Sequence, residues 1–404
     1  MSWAVSEVLR NCLRVLTDFW KKPLSYMKIC IFAGARPNFI KVAPVIRVIE
    51  KAEEQGHDVS FSLVYAGKED DPTLEGSLFA DLQIPSPHVY LGVDCENLNE
   101  LTGLVMSKFE HYLQAHLTDA VIVVDDLAST MAAAIVTKKQ GLLLAHIAAG
   151  TRSFDITMPK EINRLVIDGL SDILFTAGMS NNSIANKEGA DLSKVYMVGN
   201  ILIDNIRYNQ SRLQRPAILD ELHLADGSYL VFTINRKALL ADISNLKEMV
   251  AAILRDSGDI EIIAPLREPA RTIVSSFVDQ WEQSGADSSL HMHFISPLSY
   301  LEFGYLTANA KGIITDSGNV AEEATFYGVP CITLNSYTEH IETVKKGSNV
   351  LVGEDAVKLS EALQRLKAGQ WKTCSIPDRW DGRSAERVVQ ILYERLKHPS
   401  LING

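Results

Sequence analysis

From Met27 onward the chain alternates short β-rich apolar runs with amphipathic helical stretches, and the alternation stops once and then starts again. Strand, helix, strand in succession closes by a crossover, so this pattern calls for parallel sheets with helices laid on their faces. MKICIFAG, VSFSLVYAG, DAVIVVDD, LLLAHIAAG, SDILFTAG and KVYMVGN read as the strands of a first unit. Pro37 sits in the first turn of a helix running to Gly56, where a glycine can supply the left-handed cap. Residues 207–227 carry polar residues, Pro216 and Gly227 without a strand pattern and read as a connection. SYLVFTI, IEIIAP, LHMHFI, GIITDS, PCITLN and NVLVG then follow, with helices at 243–257, 296–310 and 319–327 and a last amphipathic stretch from Arg383 to Lys397. The expectation is an α/β chain of two doubly wound domains, 27–206 and 207–380, facing each other across a cleft. Residues 1–26 form an N-terminal extension and 381–404 a C-terminal helix packing back on the body.

A length of 404 residues suits two cores better than one. The net charge of −11 argues against nucleic acid or an anionic membrane as a partner, because both require a cationic field. Five cysteines, Cys12, Cys30, Cys95, Cys331 and Cys374, lack the paired spacing of a zinc site or redox dithiol and read as reduced cytoplasmic thiols. No apolar run reaches the length of a membrane span. Val5, Val8, Leu9, Cys12, Leu13, Leu16, Phe19 and Trp20 recur at helical spacing, an amphipathic helix expected to pack on its own domain or to lie upstream of a start at Met27.

Two turns are candidate anion sites. In GARPNFIK a glycine turn is followed by Arg36 and, one turn into the helix, Lys41. In ITDSGNVAEEA a strand ends at Asp316, the amides of Ser317, Gly318 and Asn319 can cradle a diphosphate, and a carboxylate a turn onward can accept from ribose hydroxyls. Asp125 and Asp126 close a strand at its carboxyl edge, where adjacent side chains point opposite ways. One of them is expected to face the cleft and the other to cap the helix starting near Ser129. His146 reads as a hydrogen-bonded core residue, and Glu161 with Arg164 as an ion pair on one helix face.

Taken in order, GARPNFIK, DAVIVVDD, HIAAGTRS, PKEINR, VGNILID, TDSGNVAEEA and TEHIE resemble the non-hydrolysing UDP-N-acetylglucosamine 2-epimerases over Met27 to about Gly353. The resemblance implies two Rossmann-like domains in a GT-B-like arrangement, UDP held mainly by the second, no metal or nicotinamide cofactor, and a homodimer. It places Arg36, Lys41, Asp126, Glu161 and Arg164 in the catalytic cleft. It assigns Ser317, Gly318 and Asn319 to the diphosphate turn, Glu323 to the ribose, and Arg236 and Arg267 to substrate binding.

The same resemblance marks departures. Ala148 stands where the family's HVEAG motif has glutamate, Lys160 at the first glutamate of PEE, and Asn235 at the histidine of HRREN. Arg267 lies near another histidine's place, His340 replaces the arginine of TERPE, and TGQH has become Ala66 to Glu69. Nucleotide-binding positions persist while proton-transfer positions do not, leaving Lys160 or Lys237 as substitute bases provided burial neutralises them. The expected function is a UDP-sugar-binding member of this family interconverting UDP-N-acetylglucosamine and UDP-N-acetylmannosamine, or a modified relative. A catalytically impaired nucleotide-sugar sensor and a GT-B glycosyltransferase are the alternatives.

Overall fold

The computed structural model describes residues 26–74, 76–283 and 291–397, so the amphipathic segment at the N-terminus lies outside the described residues. The first sheet holds seven strands in the order β3-β2-β1-β4-β5-β6-β7. They are β1 Met27–Ala33, β2 Val59–Tyr65, β3 Val89–Tyr90, β4 Ala120–Val124, β5 Leu143–Ile147, β6 Ile173–Thr176 and β7 Val195–Met197. The second holds six, β10-β9-β8-β11-β12-β13, drawn from β8 Leu230–Thr233, β9 Ile262–Ala264, β10 Met292–Phe294, β11 Gly312–Thr315, β12 Cys331–Thr333 and β13 Asn349–Leu351. The β1–β4 and β8–β11 pairs, like their neighbours, run parallel. β3 was not expected; with two half-buried residues at the sheet edge it is too short to show a period.

Strand alternation feeds a core on each face of each sheet. Ile29, Ile31, Ile122 and Val124 join one core, while Cys30, Phe32, Val121 and Val123 join the core on the opposite face. Leu230 and Phe232 are divided in the same way from Tyr229 and Val231. Strands buried on both faces must read as continuous apolar runs, and this is why they were legible.

The helices that position the cleft are α1 Arg36–Glu54, α2 Ala128–Lys139, α3 Pro159–Leu170, α4 Met179–Lys187, α5 Ile201–Asn209, α6 Tyr300–Ala308, α7 Gly318–Tyr327 and α8 Ser384–Lys397. α6 begins later than the pattern at 296–310 suggested. Pro297 precedes it, and Ser299 with Glu302 forms a reciprocal capping box that fixes its start. Along α8, Val388, Val389, Leu392 and Tyr393 enter the core of the first unit, so the chain returns there after completing the second sheet. The return is fastened where Gly199, at φ +103°, approaches the Arg379 carbonyl so closely that a β-carbon would lie 2.1 Å from it. The Ala385 amide donates to Asp204 at 2.7 Å, and burial pushes the Asp204 carboxyl up to about 6. Among the described residues, no helix is long and apolar enough to cross a membrane.

Candidate active site

A cavity of about 320 Å³ lies between the two units, with Asn38, Lys41, Asp125, Asp126, Ala148, Lys160 and Arg164 on one wall and Ser317, Gly318, Asn319, Glu322 and Glu339 on the other. The first wall is built from the ends of β4 and β5. Both Asp125 and Asp126 line it, which corrects the expectation that one would turn away to cap a helix. The physical reason is backbone conformation: Asp125 adopts φ +62°, which ends the strand's alternation, and the N-cap of α2 is Leu127, with no side-chain cap bond.

Lys41 Nζ lies 2.6 Å from Asp125 Oδ1, and Asn38 Nδ2 donates to Asp125 Oδ2 at 3.0 Å. Asn38 also accepts from the Gly34 and Ala35 amides, at 2.8 and 3.2 Å, and so locks the turn between β1 and α1. Burial alone would lower the Lys41 pKa, but Asp125 and Glu322 outweigh it and raise it. Asp126 Oδ2 accepts from Arg164 Nε at 2.8 Å and Nη2 at 2.6 Å, while Lys160 Nζ stands 3.3 Å from Asp126 Oδ1. Burial pushes the Asp126 carboxyl up, and Lys160 and Arg164 together hold it below the usual range.

His146 is buried, as expected, but it also reaches the cleft wall. Its Nδ1 lies 2.6 Å from Asp168 Oδ1 and its Nε2 3.0 Å from the Asp125 carbonyl, so both ring nitrogens face acceptors. Asp168 also receives Arg152 Nη1 at 2.8 Å and the Gly150 amide at 3.0 Å, and these partners, His146 first, overcome its burial and keep its pKa low. Sequence reasoning missed Asp168 and Asn38. The spacing of Glu161, Arg164 and Asp168 along α3 places all three on one helical face, a signal that was available.

Glu161 does not line the cleft. Its carboxylate accepts from Ser153 N and Oγ, both at 2.9 Å, from Phe154 N at 3.0 Å and from Arg164 Nη1 at 3.1 Å. Burial would raise its pKa, but these donors lower it, so its place is to anchor the loop after β5. The Glu161–Arg164 ion pair expected on one helix face forms, and both residues are buried. Lys160 side-chain exposure is 61%, and Lys237 is exposed too, so neither has the buried setting that a neutral lysine base requires.

On the second wall Ser317 is the N-cap of α7 and accepts from the Val320 amide. Asp316 is not among the lining residues; it receives the Asn235 and Arg236 amides at 2.7 and 2.6 Å and ties the end of β8 to β11. Arg236 stands behind the wall, donating to Asn335 at 2.5 Å, and neither Arg36 nor Arg267 is among the lining side chains. Of the two adjacent glutamates on α7, the one that lines the cleft is Glu322, which accepts from Asn200 Nδ2 at 2.5 Å and lies 3.4 Å from His340 Nε2. Glu323 turns instead into a small pocket with Tyr300, Phe303 and Tyr327, where burial, and then Glu322, push its carboxyl up to about 8. Helical geometry separates neighbouring residues by about 100°, which sequence matching alone ignores.

Besides the Asn200–Glu322 bond, further contacts join the units at the cleft. Arg164 pairs with Glu339, and Glu342 accepts from Ser180 N at 3.1 Å and Oγ at 2.7 Å at the start of α4. Among the described residues, no group of three His, Cys, Asp or Glu side chains is arranged to hold a metal ion.

The family profile described as UDP-N-acetylglucosamine 2-epimerase matches residues 51–393. A Methanocaldococcus jannaschii protein named UDP-N-acetylglucosamine 2-epimerase is 33% identical over 379 residues, spanning 91% of this chain and 99% of that one. A Pseudomonas aeruginosa protein named UDP-2,3-diacetamido-2,3-dideoxy-D-glucuronate 2-epimerase is 31% identical over 330 residues, 81% of this chain and 88% of that one. The crystal structure of the M. jannaschii UDP-GlcNAc 2-epimerase in complex with UDP-GlcNAc and UDP aligns with a TM-score of 0.78 at 30% identity, covering 91% of this chain and 100% of that one. Medicago truncatula UGT71G1, complexed with UDP-glucose, aligns with a TM-score of 0.61 at 11% identity over 92% of this chain and 98% of that one, which shows the shared GT-B fold alone. With the profile match, the full-length relatives and the two facing sheets in agreement, this chain belongs to the UDP-N-acetylglucosamine 2-epimerase family.

Proposed function

We propose that the cleft binds a UDP-sugar and interconverts its C2 epimers with a rearranged and weakened catalytic set. The observation that carries this reading is the placement of the α7 N-terminus opposite the cluster of Asp126, Lys160 and Arg164 in one cavity. The amides of Ser317, Gly318 and Asn319 are suited to the diphosphate, and Lys41 and Arg164 to the charge that develops as UDP leaves. Glu322 is the ribose or sugar hydroxyl acceptor on the cleft side of α7, Arg236 holds the lining residue Asn335, and Arg36, Arg267 and Glu323 lie outside the lining.

In the elimination half-reaction a base takes the C2 proton, the C1–O bond to the diphosphate breaks with its electron pair going to UDP, and a C1–C2 double bond forms. Re-addition of UDP with proton delivery to the other face of C2 completes the inversion. Ala148 supplies no proton-transfer group, and Glu161 is committed to the loop at Ser153 and Phe154. Asp126 is held ionised by two cations, which weakens it as a base. Turnover of unmodified UDP-N-acetylglucosamine is therefore expected below the ordinary range of about 1 to 1,000 per second. We further assign a homodimer in the cytoplasm, supported by exposed Ile162 and Leu165 on α3 and by the free thiols of Cys30, Cys95, Cys331 and Cys374.

The test is incubation with UDP-N-acetylglucosamine and UDP-N-acetylmannosamine in deuterated water, read by NMR. Slow appearance of the other epimer with deuterium at C2 supports the proposal. Binding with neither product nor exchange would make the protein a sensor, and turnover in the ordinary enzyme range would refute the weakened set.

A further inference from the structure

We propose that Lys160 makes the cleft selective for a nucleotide-sugar whose sugar ring carries a carboxylate, which the Lys160 ammonium pairs. The inference rests on the UDP-sugar reading above and narrows its substrate class to uronates.

The cations on the first wall are Lys41, Arg152, Lys160 and Arg164. Three of them are buried and already have close carboxylate partners. Lys41 meets Asp125 at 2.6 Å, Arg152 meets Asp168 at 2.8 Å and Glu188 at 2.6 Å, and Arg164 meets Asp126 at 2.6 Å and Glu161 at 3.1 Å. Lys160 differs in both respects. Its side chain is 61% exposed, and its partner oxygen, at 3.3 Å, belongs to Asp126, whose other oxygen accepts twice from Arg164. An ammonium has three donors, so a single long contact leaves donors directed to whatever fills the cleft.

Helix stability does not account for this lysine. It follows Pro159 in the first turn of α3, where the macrodipole favours a negative side chain over a positive one. Ala148 presents only a methyl group to the same cavity. A diphosphate seated on the α7 N-terminus belongs to the second wall, and the sugar then lies toward the first, where Lys160 stands. A neutral sugar offers hydroxyls to that ammonium, whereas a ring carboxylate offers a charge-assisted bond, the stronger kind of contact.

Calorimetry on the full chain with UDP, UDP-N-acetylglucosamine and UDP-N-acetylglucosaminuronate tests this, using wild type, Lys160→Met and Lys160→Gln. Wild type is expected to prefer the uronate over UDP-N-acetylglucosamine by about tenfold. Both variants should lose that preference while holding UDP affinity within about twofold, the free-energy scale of an unperturbed contact. Equal affinity of wild type for the two sugars overturns the inference and leaves the UDP-sugar reading standing. A parallel loss of UDP binding in both variants also overturns it, because the ammonium would then be a diphosphate ligand. If wild type binds none of the three nucleotides, the UDP-sugar reading itself falls and takes this inference with it.

Discussion

Replacing Glu323 with glutamine should stabilise the protein above neutral pH and change little in mild acid. The Glu323 carboxyl is pushed from 4.5 to about 8 by burial beside Tyr300 and Tyr327 and by neighbouring Glu322. A carboxyl with a raised folded-state pKa binds its proton more tightly when folded. Its contribution is fully present below about 4.5, declines as pH rises between about 4.5 and 8, and is gone above that window. A rise of about 3.5 corresponds to a ceiling of about 5 kcal/mol, from about 1.4 kcal/mol per pH unit. Because the side chain keeps partial solvent contact, we expect about 2 kcal/mol. Glutamine keeps the shape and has no charge to bury. Urea unfolding at pH 5 and pH 9 should give similar stability for the two proteins at the lower pH and a clear gain for the variant at the higher. Wild type and variant running parallel across that range would refute the reasoning.

Two further substitutions probe the first wall. Arg164→Met leaves Asp126 and Glu161 in a buried site without their shared guanidinium and should cost about 3 kcal/mol in denaturant unfolding; a loss below about 1 kcal/mol would show that the network is not cohesive. Ala148 sits at φ +71°, a conformation that costs an L-residue about 1 kcal/mol, so Ala148→Gly should be neutral to mildly stabilising, while Ala148→Val should destabilise by more than about 1 kcal/mol. The reverse order in thermal melts would mean that this backbone is not strained.

The fold was legible because strands such as Ala120–Val124 are buried on both faces and carry unbroken apolar runs. The turns were legible for a similar reason, since GARPNFIK and TDSGN announce a strand end followed by a helix start. What could not be read was the direction of individual side chains. The positive φ of Asp125 brings two neighbouring aspartates to one wall, and no residue pattern announces it. Glu322 and Glu323 differ by a single rotation about α7, yet one enters the cleft and the other a separate pocket. Glu161 looked catalytic by position, and only its amide partners at Ser153 and Phe154 reveal an anchoring task.

The path of α8 has a mechanical consequence. Because the chain crosses from the first unit to the second after α5 and crosses back before Ser384, the two halves are joined by two covalent straps. A single tether permits twisting and swinging in any direction, but a pair of separated tethers restricts movement to a swing about the line connecting them, as a door turns on two pins. Severing one strap would leave the halves linked through the other and would remove that restriction to a single line of swing.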